Sequence, residues 1–101
     1  MIRVPAGLIE IQTATYSEAK TPADRAVQLD TLARAARQAR QLGLHVHMGH
    51  GLNYHNVQAV AALAEVEELN IGHSIVSRAV LVGMERAVRE MKEAIRAAQP
   101  R

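Results

Sequence analysis

Three short β-rich segments, each leading into a helical pattern, limit what this chain can fold into more than any other feature. Strand, helix and strand in succession with short links leave the strands parallel, because each helix carries the chain back to the starting edge of the sheet. The first segment is Leu8-Ile9-Glu10-Ile11-Gln12, the second is Leu44-His45-Val46-His47, and the third lies within residues 66–71. A turn-like stretch follows the first. Thr21-Pro22 then opens a helix, with threonine as cap and proline at the first helical position. Val27, Leu29, Leu32, Ala33, Ala36 and Ala39 recur near the helical period until Gly43 stops it. The second segment runs into a glycine-flanked loop at residues 48–52 and then a helix over about residues 54–64. Beyond the third, residues 74–82 form a short helix and Met84–Ala98 a longer amphipathic one. No linker, low-complexity run or clear internal repeat divides residues 1–101, so they belong to one domain.

Polar residues in each strand share one parity: Glu10 with Gln12, His45 with His47, Glu68 with Asn70. Ile9, Ile11, Leu44, Val46, Leu69 and Ile71 take the other and are expected to pack under the helices. An open doubly wound sheet would be apolar on both faces. One polar face fits a β/α barrel, where it points inward towards the mouth. With aromatic residues at only 2% and no Trp or Phe, the core must be built from small aliphatic side chains, which suits that close packing.

The charge balance of +2 is interspersed, and no basic run interleaves with aromatics, which is compatible with a small anionic ligand and gives little support for nucleic acid, so no nucleic-acid partner is expected. The absence of cysteine excludes disulfides and thiolate metal sites. The amino-terminal residues lack the order of a signal peptide, and no apolar run approaches the roughly 18 residues of a membrane span. A cytoplasmic protein without membrane contact is the expectation.

In parallel α/β folds, chemistry gathers where strands end. Gly49-His50-Gly51 sets an imidazole between two glycines just after a strand, where it either exchanges protons near neutral pH or hydrogen-bonds its own turn. Asn70-Ile71-Gly72-His73-Ser74 opens into a helix, and reads either as an anion site of backbone donors or as a helix with Ser74 as N-cap. Glu10 lies mid-strand, where a carboxylate needs a purpose, a partner or open water. Lys20 and Arg78 are candidate phosphate contacts. His45, His47 and His50 suggest zinc, but no carboxylate stands at a supporting spacing, so no metal is expected. Residues 65–68, with three glutamates, read as a solvated connection, and His55 as the start of a helix.

Together these stretches resemble the carboxy-terminal part of the pyridoxine 5'-phosphate synthase (PdxJ) family. The resemblance rests on Ile9-Glu10-Ile11 with Tyr16 and Ala19-Lys20, on Gly49-His50-Gly51-Leu52-Asn53-Tyr54-His55-Asn56-Val57, and on Glu68-Leu69-Asn70-Ile71-Gly72-His73-Ser74-Ile75 with Arg78-Ala79-Val80. It implies a partial (β/α)8 TIM barrel, with three βα units equivalent to strands six to eight and a short extra helix at a phosphate site. It further implies condensation of 1-deoxy-D-xylulose 5-phosphate with 3-amino-2-oxopropyl phosphate in vitamin B6 biosynthesis, without metal or organic cofactor, in a homo-oligomer. His50 would be the proton donor and Glu10 would stabilise the transition state. Gly51, Gly72 and His73 would hold the phosphate of the aminooxopropyl substrate.

The sequence departs from the family's pattern at the mouth. Gln12-Thr13-Ala14 stands where members carry His-Thr-Gly, His47-Met48-Gly49-His50 where they carry Asn-Ala-Gly-His, and Ser77 where they carry glycine. A whole barrel takes roughly 200–250 residues. Three strands alone would lack the xylulose phosphate site and be inactive, leaving a phosphate-binding module or a self-associating part-barrel as the alternative reading.

Overall fold

A computed structural model describes residues 7–98; the amino-terminal residues read above for a leader pattern lie outside them. Strands β1 (Leu8–Gln12), β2 (His45–Gly49) and β3 (Val66–Asn70) form one parallel sheet in the order β1-β2-β3. Their helices are α1 (Ala14–Ser17), α2 (Pro22–Gln41), α3 (Val57–Ala61), α4 (His73–Val82) and α5 (Met84–Ala98). The α/β class and the parallel order follow from the alternation of elements. Helix α2 begins as its first residues dictate, with the Thr21 hydroxyl accepting from the Asp24 amide at 3.1 Å and Pro22 next in line. It ends at Gly43, whose φ of +80° is a left-handed conformation that glycine adopts without steric cost.

Two helices differ from expectation. Helix α1 occupies the stretch expected to be a turn, and α3 starts at Val57 rather than Tyr54. The second difference has a local cause. The Asn53 Oδ1 accepts from the amides of His55 at 2.8 Å and Asn56 at 2.9 Å, so this side chain folds residues 53–56 into a turn first. His55 sits in that turn, exposed and outside the helix.

The core lies between the apolar face of the sheet and the helices. Val46 and Met48 on the central strand are fully buried, joined by Leu32, Ala36, Ala39, Val57, Val60 and Met91. Some expected core positions are not in it. Ile9, on edge strand β1, stays 37% exposed, and Val27 is 62% exposed. Val27 precedes the fully buried Ala36 by about two and a half helical turns, which puts the two on opposite faces of α2.

The polar parity also holds, with one adjustment. Glu10, His47 and Glu68 stand in one register row across the sheet, and Gln12, Gly49 and Asn70 in the next. The β2–β3 register shifts between Val46 and His47, where Val66 pairs with Val46 but Glu68 with His47. Glu67 is thereby the extra residue of a bulge, so consecutive carboxylates each reach one of the two histidines. His45 Nδ1 lies 2.8 Å from Glu67 and His47 Nδ1 lies 3.0 Å from Glu68, while Arg40 also pairs with Glu67. Glu67 and Glu68 therefore belong to a strand rather than to a solvated connection, and the carboxylates beside the histidines come from the neighbouring strand. The His45 hydrogen bond, helped by the Arg40 charge, holds the Glu67 carboxyl below its ordinary range.

Helices α4 and α5 are locked by a fork of charge. Arg78 Nε donates to Glu90 at 2.9 Å, and Arg86 Nε donates to its other oxygen at 3.1 Å. These hydrogen bonds hold the Glu90 carboxyl down from 4.5 to about 2. A depressed carboxyl adds stability that is complete above its ordinary value and fades as pH falls towards the folded one. In Glu90→Gln, the thermal midpoint followed by circular dichroism should therefore fall less steeply than wild type between pH 4.5 and 2. An unchanged slope there would show that the fork contributes nothing. Among the described residues, no helix is long and apolar enough to cross a membrane.

Candidate functional site

The carboxy-terminal ends of all three strands open on one cleft of about 450 Å³, lined by Glu10, Gln12, His50, Gly51, Leu52, Asn70, Ile71, Gly72 and His73. The five residues that the sequence marked for chemistry, Glu10, His50, Gly51, Gly72 and His73, all face it. They come from β1, from the loop after β2, and from the junction of β3 with α4.

Gly49 lets the two outer strands close over the central one. A Cβ there would lie 2.8 Å from the Asn70 carbonyl oxygen and 3.2 Å from the Glu10 carboxylate. With no side chain in the way, Asn70 Nδ2 reaches Glu10 Oε1 at 3.4 Å across the sheet. Glu10 itself is exposed on an edge strand, so its carboxylate is solvated at the mouth as well as partnered.

The chain then turns sharply. His50 has φ +90° and Gly51 φ +79°. A left-handed conformation costs a non-glycine residue about 1–3 kcal/mol and persists only where surroundings impose it. Here they do. The fully buried Thr13 donates from its amide to the Gly49 carbonyl at 2.8 Å and from its hydroxyl to the His50 carbonyl at 2.6 Å. Asn56 Nδ2 donates to the Gly51 carbonyl at 3.2 Å, and its Oδ1 accepts from the Asn53 amide at 2.7 Å. Gly51 is required as well, because a Cβ would fall 2.7 Å from Ser17 Cβ and Oγ.

Two phenols brace this loop from behind. Tyr16 donates to the Asn56 carbonyl at 2.7 Å, and Tyr54 donates to the Ala87 carbonyl of α5 at 2.7 Å. Burial pushes both above their ordinary value, so they stay protonated donors.

At the other wall, Gly72 is the N-cap of α4, with no side-chain cap and open space where a Cβ would sit. The first intrahelical bond of this turn runs from the Val76 amide to the Gly72 carbonyl at 3.0 Å. The preceding amides, from His73 to Ile75, have no intrahelical acceptor, which leaves backbone donors and the positive end of the helix at the cleft. Ser74 lies inside the helix and does not cap it.

Other candidates fall elsewhere. Arg78 is engaged by Glu90, and neither it nor Lys20 lines the cleft. Among the described residues, no group of three or more His, Cys, Asp or Glu side chains is arranged to hold a metal ion. Sequence reasoning missed Thr13 and Asn56 as the residues that hold the loop. Thr13 follows β1 and Asn56 precedes α3, and neither position carries a local signal for that role.

Comparison with known proteins matches residues 2–97 to the family described as pyridoxal phosphate biosynthesis protein PdxJ. The chain is 57% identical over 93 residues to a pyridoxine 5'-phosphate synthase of Synechococcus sp. (strain JA-2-3B'a(2-13)), a match covering 92% of this chain and 39% of that protein. It is 58% identical over 95 residues to the synthase of Nostoc punctiforme, covering 94% of this chain and 39% of that protein. For the synthase of Syntrophotalea carbinolica the identity is 55% over 93 residues, with coverage of 92% and 39%. The chain thus spans about two fifths of the length of these relatives.

Proposed function

Because the chain belongs to the pyridoxal phosphate biosynthesis protein PdxJ family, we propose that its cleft is the phosphate-binding and proton-donating part of a pyridoxine 5'-phosphate synthase active site. The reaction is the ring-closing condensation of 1-deoxy-D-xylulose 5-phosphate with 3-amino-2-oxopropyl phosphate, which releases phosphate and water. One observation carries the reading: Glu10, His50, Gly51, Gly72 and His73, far apart in sequence, line a single cleft at the strand ends.

The roles are those the family resemblance implies, and the chemistry at that cleft supports each. The His50 imidazole is the proton donor to a departing oxygen, since histidine exchanges protons near neutral pH. The Glu10 carboxylate stabilises positive charge developing on the nitrogen-bearing intermediate, an electrostatic role suited to a fixed anion beside the reacting atoms. Gly51, Gly72 and His73 hold the phosphate of the aminooxopropyl substrate. Backbone amides at the start of α4 supply donors, and the two glycines keep the approach open.

The three βα units correspond to strands six to eight of an eight-stranded barrel, with α4 as the extra helix at its phosphate site. The remaining strands would supply the xylulose phosphate site and the other acid–base groups. β1 and β3 each have one unpaired edge among the described residues, and closing those edges is what the rest of a barrel, or a second copy, would do. We infer a homo-oligomeric enzyme working in the cytoplasm.

A chimera tests this directly: residues 8–98 replace the matching segment of the Nostoc punctiforme synthase. It should form pyridoxine 5'-phosphate from the two substrates within about tenfold of the parent, equivalent to roughly 1.4 kcal/mol of barrier. The 101 residues expressed alone should show no turnover but should bind inorganic phosphate, with amide shifts centred on Gly72 and His73. A folded chimera without turnover would overturn the proposal.

A further inference from the structure

The strained loop that carries His50 is held chiefly by two side chains outside the roles assigned above, with Ser17 Oγ a weaker donor to the same His50 carbonyl at 3.5 Å. We propose that Thr13 and Asn56 are positioning residues for the condensation, fixing the His50 imidazole at the cleft by clamping the carbonyls of His50 and Gly51. The inference rests on the reading of His50 as proton donor.

Three observations carry it. First, His50 combines a side chain with φ +90°, and the next residue also has positive φ, at +79°. Such a turn relaxes to ordinary dihedrals unless something imposes it, and relaxation would swing the imidazole away. Second, the imposing contacts act on consecutive peptide groups. The Thr13 hydroxyl takes the His50 carbonyl at 2.6 Å, and Asn56 Nδ2 takes the Gly51 carbonyl at 3.2 Å. Third, both clamps are themselves fixed. Thr13 has no exposed surface, its amide extends the β1–β2 ladder by donating to Gly49, and its carbonyl accepts the Ser17 amide at 2.9 Å. Asn56 is tied through Oδ1 to the Asn53 amide and through its carbonyl to the Tyr16 phenol.

Neither residue lines the cleft. Their effect must pass through backbone geometry. The two clamps should also differ in outcome. Thr13 holds only the His50 side of the turn. Asn56 holds the peptide of Gly51, which also faces the phosphate.

The test uses the chimeric barrel described above. Thr13→Val keeps shape and loses the hydroxyl; kcat should fall about 10- to 100-fold, as displacements near 1 Å do, with KM nearly unchanged. Thr13→Ser should restore most of the rate, because it returns the donor. Asn56→Asp replaces the donor to Gly51 with an acceptor, and should lower kcat while also raising KM for 3-amino-2-oxopropyl phosphate. If Thr13→Val does not fold, the Asn56→Asp and Thr13→Ser pair still decides the question.

His50→Gln in the same background separates the two ideas. If it keeps full turnover, the proton-donor reading fails. If it loses turnover while folded Thr13→Val and Asn56→Asp keep the parental kcat, the positioning inference fails and the proton-donor reading stands. A Thr13→Ser variant as slow as Thr13→Val would likewise overturn the role of the hydroxyl.

Discussion

Replacing Gly49 with alanine is expected to destabilise the fold by about 1–3 kcal/mol, the range for forcing carbon into a packed site, and to lower turnover of the chimeric barrel about 100-fold. Gly49 is buried at the end of the central strand, in one register row with Gln12 and Asn70. The added Cβ would meet the Asn70 carbonyl oxygen at 2.8 Å and Asn70 Cβ at 2.9 Å, both closer than real contacts allow. A carbonyl in a strand cannot swing aside as a side-chain tip can, so β3 itself must move. That displacement reaches the site from two directions. The Glu10 carboxylate, 3.2 Å from the new carbon, must give way by a fraction of an ångström beside Asn70, and the start of α4 follows the end of β3 by only a few residues. Gly72→Ala is the contrast. Nothing lies within 4 Å of its Cβ position and its φ is −130°, so the fold should be untouched and any effect should appear in KM for the aminooxopropyl substrate. Thermal midpoints and steady-state constants for both variants check the pair; a Gly49→Ala barrel with parental midpoint and rate would refute the steric account.

How much of this was legible in the sequence depends on the range of the interactions involved. Strand parity, the Thr21-Pro22 start and the Gly43 stop are local, and each stands where the sequence puts it. Tyr54 to Asn56 read as helix because its apolar spacing allowed one, yet the Asn53 side chain competes for the same amides and forms a turn instead. Helix α1 owes its place to long-range contacts: Tyr16 is buried in the core and its phenol reaches Asn56. Spacing alone cannot show that.

The histidine–glutamate pairs were hidden for a different reason. Pairing His45 with Glu67 and His47 with Glu68 requires the bulge in register near Val46, and a bulge leaves no mark in either strand's own pattern. The cleft was the reverse case. Its members lie at strand ends, the one place where a parallel fold gathers residues from distant segments, so Glu10, His50 and Gly72 converge once the strands are aligned. What holds the loop was not legible, because Thr13 and His50 are 37 positions apart and joined through a main-chain carbonyl, which carries no residue identity.

Exchanging His50 for glutamine should lower kcat of the chimeric barrel by about 10²- to 10⁴-fold, the span usual for a positioned acid or base. Glutamine keeps a hydrogen-bonding side chain of similar reach but has no proton to give near neutral pH. The turn should survive the change. Both residues carry a Cβ and pay a similar penalty at φ +90°, and the clamps from Thr13 and Asn56 act on main-chain carbonyls that the substitution leaves in place. KM for 3-amino-2-oxopropyl phosphate should therefore stay close to the parent's, since in the proposed reading its phosphate is held by Gly51, Gly72 and His73. A loss confined to kcat is the signature of an interaction made in the transition state. The comparison variant is His55→Gln. Its side chain is exposed, and only its backbone amide is engaged, by Asn53, so rate and stability should both remain parental. Equal losses in the two variants would mean a general sensitivity of the loop. A loss at His50 alone, with unchanged KM, assigns the proton to that imidazole.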